Sequence, residues 1–189
     1  MTPSDPLEAG VALAKAFDSR GIPYALGGAL AYGLWAVPRA TVDVDVNAFV
    51  EDAQLDSVLD ALADLGVTFQ PEQARRENAA RGMFVARFGP FRVDVFTPSI
   101  DFAWEAMRTR VPKDVDGTQV YFLSAEALAV FKLLFFRGKD IVDLRRLVAV
   151  QGQRLDAAYV RRHLVALMGE DDERVAKWDE LTRAQVGGA

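Results

Sequence analysis

Alternating valines and acids constrain the fold of this chain more than any other sequence feature. Residues 41–48 read Thr-Val-Asp-Val-Asp-Val-Asn-Ala. Side chains alternate between the two faces of a β-strand, so Asp43 and Asp45 share one face and the valines share the other. The stretch therefore predicts a strand at 41–50 whose valine face packs on helices.

A β-hairpin is predicted farther along the chain, at 83–88 and 91–96, with a Gly-Pro turn between its strands. Its second strand carries Asp94 as a lone acid between two valines. Burial of a carboxylate without a partner is costly. A cation shared with Asp43 and Asp45 would supply that partner.

The two acids of the first strand allow two interpretations. They lie about 7 Å apart along a strand, a spacing at which they can hold divalent cations together with a substrate phosphate. The alternative is that Asp43 and Asp45 only lie on the solvated side of an edge strand, since charged side chains are usually exposed.

Helical periodicity accounts for most of the remaining chain, which predicts an α+β fold. A small mixed-sheet core is expected over 1–122, followed by a helical part over 123–189. The segments with helical spacing are 7–19, 29–36, 53–65, 100–109, 124–136, 139–150, 156–168 and 171–185. The polar, arginine-rich stretch 70–81 is expected to be a loop, and 119–122 a further strand.

Composition excludes several classes of chemistry. The 189 residues include no cysteine and a single histidine, His163, so thiol nucleophiles, cysteine-bound zinc and multi-histidine metal sites are excluded. With 27 acids against 22 lysines and arginines, the net charge of −5 argues against a generally basic nucleic-acid binder. No secretory signal or membrane-length apolar run is visible, so a cytoplasmic protein without membrane contact is expected.

Two adjacent glycines, Gly27 and Gly28, end a predicted strand and open a helix. Glycine lets backbone amides approach a phosphate at a helix N-terminus, although a tight turn is the commoner reason for such a pair. No Lys-Ser/Thr follows, which excludes a Walker A loop, and the third glycine of a dinucleotide-binding motif is missing.

Together these motifs resemble the polymerase-beta-like nucleotidyltransferase superfold. Its pattern is a glycine pair or Gly-Ser at a strand end, Asp-x-Asp on the next strand, and a third Asp on a later one. Within it, residues 25–31 and 38–45 look like the minimal AbiEii-type branch, which includes toxins of toxin–antitoxin and abortive-infection systems. This sequence has Gly28 where a serine often sits.

The resemblance implies a nucleotide-transfer chemistry. A Mg²⁺-dependent enzyme would move a nucleoside monophosphate from a nucleoside triphosphate such as ATP to an acceptor hydroxyl, on the tRNA 3′ end or on a protein. A cognate antitoxin would be a further partner. In this reading Asp43, Asp45 and Asp94 ligate Mg²⁺ and act in catalysis, while nucleotide-binding residues surround the phosphates. The latter are Gly27, Gly28, Arg39, Thr41 and Lys132.

Two other functions remain open at this point. The chain could be a catalytically silent module that binds nucleotide or a partner on the same fold. It could instead modify an aminoglycoside-like small molecule, since an acidic pocket suits a polycationic acceptor. Arg39 is equally consistent with an ordinary surface arginine.

Lys132 lies in the middle of an almost entirely apolar helix. Either its ammonium binds the triphosphate and takes part in catalysis, or its chain bends to reach water from a partly exposed face. The run that follows, 137–143, resembles a C-terminal signature of the same branch. There Asp140 is expected to be a helix N-cap, and Asp143 to pair with Lys132 or Arg137 or to favour the helix dipole.

The sequence leaves the roles of Lys139, Asp140 and Asp143 open. Basic residues cluster locally, and an RNA acceptor would need such patches, although clusters of this kind are usually solvated surface. The clusters are Arg75, Arg76 and Arg81; Arg108, Arg110 and Lys113; Arg145 and Arg146; and Arg161 and Arg162.

Overall fold

The computed structural model describes residues 2–186 and shows an α+β fold, which confirms the predicted class. The strands are β1 (Tyr24–Leu26), β2 (Asp43–Ala48), β3 (Met83–Phe88), β4 (Phe91–Phe96), β5 (Val111–Val115) and β6 (Thr118–Phe122). The helices are α1 (Pro6–Ser19), α2 (Gly28–Trp35), α3 (Leu55–Asp64), α4 (Pro71–Arg81), α5 (Phe102–Arg108), α6 (Ala125–Phe135), α7 (Gly138–Gln151), α8 (Ala157–Met168) and α9 (Glu173–Val186). Met1 and residues 187–189, which belong to the predicted regions 1–122 and 123–189, lie outside the described residues.

The chain forms two compact units. The sheet unit comprises the residues up to Leu30 and Arg39–Leu123, and the helical unit comprises Ala31–Pro38 and the residues from Ser124 onward. The regions predicted from the sequence, 1–122 and 123–189, place 31–38 with the sheet instead. Helix α2 therefore begins in the sheet unit and continues in the helical unit.

One mixed sheet organises the sheet unit, in the order β3-β4-β2-β1-β6-β5. The pairs β3–β4, β1–β2 and β5–β6 are antiparallel, whereas β2–β4 and β1–β6 are parallel. The hairpin β3–β4 has the predicted bounds, with Gly89 in its turn at φ 58°. The parallel pairing of β2 with β4 brings the two acid-bearing strands side by side.

The valine face of these strands is the core of the sheet unit, as predicted. Val44 and Val46 on β2 and Val93 and Val95 on β4 are completely buried. Val42 precedes the first residue of β2 and is 68% exposed, so it does not belong to this face. The opposite face of β2 and β4 carries the polar residues that the sequence singled out.

Helix α4 spans Pro71–Arg81, so the loop predicted at 70–81 is wrong. Pro71 occupies the first turn, where the missing N–H costs nothing, and Gly82 ends the helix in a left-handed conformation with φ 66°. Only Ala74 and Asn78, one turn apart, are buried. The helix has no apolar stripe, so only the residues at its two ends indicate it in the sequence.

The helical unit is packed around side chains from α6 to α9. Trp178 on α9 is completely buried and donates its Nε1–H to the carbonyl of Ala157 at 3.0 Å. Leu144 and Leu147 on α7 and Leu164 on α8 are equally buried. Over the described part of the chain, no helix has both the length and the apolar character needed to cross a membrane.

Candidate active site

The polar face of β2 and β4 brings together the acids that the sequence predicted to be close. In the parallel register Asp45 lies directly opposite Asp94, and Asp43 lies opposite Arg92. Paired residues of neighbouring strands point to the same side of a sheet. Asp43, Asp45 and Asp94 thus share one face, and all three side chains are partly exposed.

Gly28 has no side chain, and this leaves space for the carboxylate of Asp45. It has φ 49°, a conformation that residues with a Cβ rarely adopt. The Cβ of Asp45 lies 2.9 Å from the position that a Cβ on Gly28 would take, and the carboxylate is closer still. Any side chain at 28, a serine included, would therefore collide with Asp45 in its present position.

Gly27 continues the pairing of β1 with β2. Its N–H donates to the carbonyl of Asp45 at 2.8 Å and extends the antiparallel pairing of β1 with β2. Asn47, on the same strand face as the acids, donates its Nδ2–H to the carbonyl of Ala25 at 3.4 Å. The Gly27 amide is thus engaged in the sheet, and the expectation that Gly27 borders the phosphates stays a prediction.

Asp94 has an internal partner that the sequence analysis did not identify. The Nε–H of Arg92 donates to Oδ1 of Asp94 at 2.8 Å, with side-chain exposures of 49% for the arginine and 17% for the acid. The hydrogen bond to Asp94 and then the negative charges of Asp94, Asp43 and Asp45 raise the pKa of the Arg92 guanidinium. One guanidinium thus offsets part of the negative charge of the acidic face, the side of β2 and β4 that carries Asp43, Asp45 and Asp94.

The three carboxylates do not converge on one point, contrary to expectation. Among residues 2–186, no group of three histidine, cysteine, aspartate or glutamate side chains is placed to hold a metal ion. Two of the carboxylates have local contacts, because Asp45 lies against Gly28 and Asp94 pairs with Arg92. The chemistry of the donors still suits Mg²⁺, which prefers carboxylate oxygens, and the strand register keeps their backbone positions adjacent.

Arg39 and Thr41 lie in the segment that leads into β2. Arg39 is exposed, as either reading of this residue requires. The Thr41 hydroxyl accepts the N–H of Asp43 at 3.1 Å and lies 3.2 Å from the Asp43 carbonyl, so it shapes the entry to the strand. The nucleotide contacts expected of both residues stay predictions.

Lys132 in the helical unit is buried rather than extended toward water. Its side chain is 7% exposed, and its Nζ lies 2.7 Å from Oδ2 of Asp143 and 3.5 Å from Oδ1 of Asp140. Nζ also lies 5.4 Å from the centre of the Tyr32 ring. The solvent-reaching alternative is therefore wrong and the predicted pairing with Asp143 is confirmed. The ammonium charge is neutralised within the helical unit, which does not favour the expected triphosphate contact.

Asp140 caps α7 from inside the helix. The helix begins at Gly138 with Arg137 as its N-cap, so Asp140 lies at the third position and accepts the N–H of Arg137 at 3.2 Å. Because Arg137 is the N-cap, the prediction that Asp140 is the N-cap is wrong. Burial acts to raise the pKa of Asp140, but hydrogen bonds from Arg137 and the charges of Lys132 and Arg137 outweigh it, so the pKa is lowered.

Acids neutralise arginines of several of the predicted basic clusters. The ion pairs are Arg75 with Asp56 and Glu72, Arg81 with Glu77, Arg108 with Glu105, and Arg161 with Glu170 and Asp179. Such pairs cancel the local positive potential on which phosphate backbones depend. These arginines thus provide less attraction for RNA than their number in the sequence indicates.

Comparisons with known proteins identify the fold. No protein-family model and no curated protein matches the chain. ANT(2'')-Ia, described as an antibiotic-resistance factor, superposes with a TM-score of 0.57 at 21% identity, over 86% of this chain and 96% of that one. An antigenic nucleotidyltransferase-like protein from Paracoccidioides brasiliensis gives a TM-score of 0.50 at 18% identity, over 94% of each chain.

At these identities the likeness shows the fold alone. The chain has a nucleotidyltransferase-like α+β fold, as the resemblance of its motifs implied. Its resemblance to the AbiEii-type branch stays a prediction.

Proposed function

We propose that this protein is a nucleotidyltransferase that moves a nucleoside monophosphate from a nucleoside triphosphate to an acceptor hydroxyl. The observation that carries the proposal is the pairing of Asp45 with Asp94 across β2 and β4, with Asp43 on the same face. The shared fold supports it. We place the activity in the cytoplasm, where nucleoside triphosphates are available.

The reaction is an in-line displacement at phosphorus. The acceptor oxygen forms a bond to the α-phosphorus while the bond from that phosphorus to the bridging oxygen of the pyrophosphate breaks. Pyrophosphate leaves, and the proton of the acceptor hydroxyl passes to a carboxylate. We assign this proton to Asp94, whose carboxylate is partly exposed on the polar face.

Asp43, Asp45 and Asp94 would hold Mg²⁺, which when bound neutralises charge on the phosphates and on the leaving group. Gly28 contributes to the reaction by leaving space for the carboxylate of Asp45 beside the backbone, since any larger residue would occupy that space. Exposed Arg39, just before β2, is the residue proposed to bind the triphosphate by charge.

Two acceptor classes follow from this reaction. An RNA acceptor, such as the 3′ end of tRNA, would make the chain a toxin-type enzyme with an antitoxin partner. The ion-paired arginines favour the second class, a small polycationic molecule that an acidic face attracts. The likeness in fold to an antibiotic-resistance factor supports the same choice.

The test is transfer of label from each α-labelled nucleoside triphosphate with Mg²⁺, in competition between tRNA and aminoglycosides. Asp45→Asn and Asp94→Asn should lower transfer by about a hundredfold or more, because each removes a charge that acts directly on the reacting groups. Asp60→Asn, an exposed acid on α3, is the matched control and should retain activity.

Full activity of Asp45→Asn and Asp94→Asn would contradict the proposal. Nucleotide binding by calorimetry with no transfer to any acceptor would instead support the catalytically silent module. Label on tRNA alone would favour the toxin-type enzyme, and label on the aminoglycoside alone would favour the small-molecule transferase.

A further inference from the structure

The guanidinium of Arg92 lies near the carboxylates of Asp43, Asp45 and Asp94, where a metal cation would also bind. It precedes Asp94 by two residues on β4, so both side chains lie on the polar face, and its backbone is paired with that of Asp43. Its guanidinium bonds to Asp94 at 2.8 Å. The charge of all three carboxylates acts on this one group.

We propose that Arg92 is a built-in counter-cation, which neutralises Asp94 until a divalent cation displaces it. The inference rests on the proposed function, because it takes the acidic face to be the metal site of the transferase. It assigns Arg92 a positioning role that controls how tightly the face binds a metal ion. The substrate-free protein thereby keeps an acidic face whose charge is partly compensated at Asp94.

The chemistry of arginine makes displacement the only route of release. A guanidinium stays protonated at any accessible pH, so its charge cannot be removed and the side chain must rotate away. The Arg92 side chain is half exposed, which leaves water available to solvate it after it moves. A divalent ion carries twice its charge and attracts the three carboxylates more strongly at equal distance.

The same contact engages one of the three carboxylates that would ligate the metal ion. Arg92 donates a hydrogen bond to Asp94, and no three acids of the described residues are placed to hold a metal ion. Removal of the guanidinium leaves adjacent like charges on β2 and β4, which attract a free cation. Arg92 thus raises the concentration of metal ion that is needed to occupy the acidic face.

The experiment is a titration of the full chain with Mn²⁺, followed by the electron paramagnetic resonance signal of the free ion. Arg92→Gln should tighten the dissociation constant of Mn²⁺ by about tenfold, because a competing unit charge near the ligands is removed. Arg92→Lys keeps the charge and should remain close to the unchanged protein.

Arg87→Gln is the matched control. Arg87 lies opposite Arg92 on the neighbouring strand β3, so the substitution removes the same charge from the adjacent position. It should tighten Mn²⁺ binding by no more than about twofold, since the effect of an exposed charge falls with distance and salt.

Unchanged or weaker Mn²⁺ binding by Arg92→Gln would overturn the inference, as would an equal effect of Arg87→Gln. If label transfer occurs and requires Asp45 while Arg92→Gln leaves Mn²⁺ affinity unchanged, the inference fails and the proposed function stands. If Asp45→Asn affects neither Mn²⁺ binding nor transfer, the proposed function fails and the inference fails with it.

Discussion

Replacement of Gly28 by alanine tests whether Asp45 needs the space that the missing side chain of Gly28 leaves. Alanine at φ 49° costs about 1–2 kcal/mol of unfolding free energy, because the left-handed conformation brings Cβ against the carbonyl. The new methyl group also collides with the side chain of Asp45, and such overpacking adds about 1–3 kcal/mol. The total expected loss is thus about 2–5 kcal/mol.

Gly66→Ala isolates the first of these costs. Gly66 has φ 83°, and no atom lies within 4 Å of a Cβ placed there. The free energy of unfolding, measured in urea, should therefore fall by about 1–3 kcal/mol more in Gly28→Ala than in Gly66→Ala, which is about 2–12 °C in melting temperature for a chain of this size.

A double-mutant cycle identifies the collision partner. Removal of the carboxylate by Asp45→Ala should relieve part of the loss in Gly28→Ala, so the two changes are not additive. Equal losses at positions 28 and 66, or full additivity of the two changes, would refute the proposed seating of Asp45 against Gly28.

The charged residues of the helical unit give two further predictions. Lys132→Met should lower the free energy of unfolding by about 3–5 kcal/mol, since it leaves buried Asp143 without its ammonium partner, whereas exposed Lys139→Met should change it by less than about 0.5 kcal/mol. The lowered pKa of Asp140 means that its stabilisation is present above its unfolded pKa, near 3.9, and is lost as the pH falls through the folded value. Urea titrations should therefore show Asp140→Asn less stable than the unchanged protein at neutral pH, with a difference that shrinks below about pH 4; a constant difference would contradict this reasoning.

The strands of the acidic face were predictable because alternation is a local property. Valines at alternate positions of β2 and β4 indicate the buried face, the Gly-Pro turn indicates the hairpin, and the structure has the predicted bounds at 83–88 and 91–96. Pairing between β2 and β4 is a long-range property. The proximity of Asp45 and Asp94 came from the resemblance to a family and from the cost of burying an unpaired acid.

The missed features have identifiable physical causes. Helix α4 has an average composition too polar for an apolar stripe, so only Pro71 and Gly82 indicate it. Strand β5 contains Pro112, which is unfavourable in a strand interior and tolerated here because β5 is at the edge of the sheet. The pair of Arg92 with Asp94 had a signal in the sequence, since residues two apart on a strand share a face, but side-chain pairing depends on the surroundings.

The buried cluster of Lys132, Asp140 and Asp143 also limits how the protein can be redesigned. These three charges join α6 to α7, and a slip of one helix by a turn, about 5.4 Å, would separate the ammonium from both acids. Their simultaneous replacement by apolar side chains of similar volume is expected to preserve or raise thermal resistance. We expect such a variant to accept more than one alignment of the two helices, because hydrophobic contacts alone distinguish neighbouring alignments weakly.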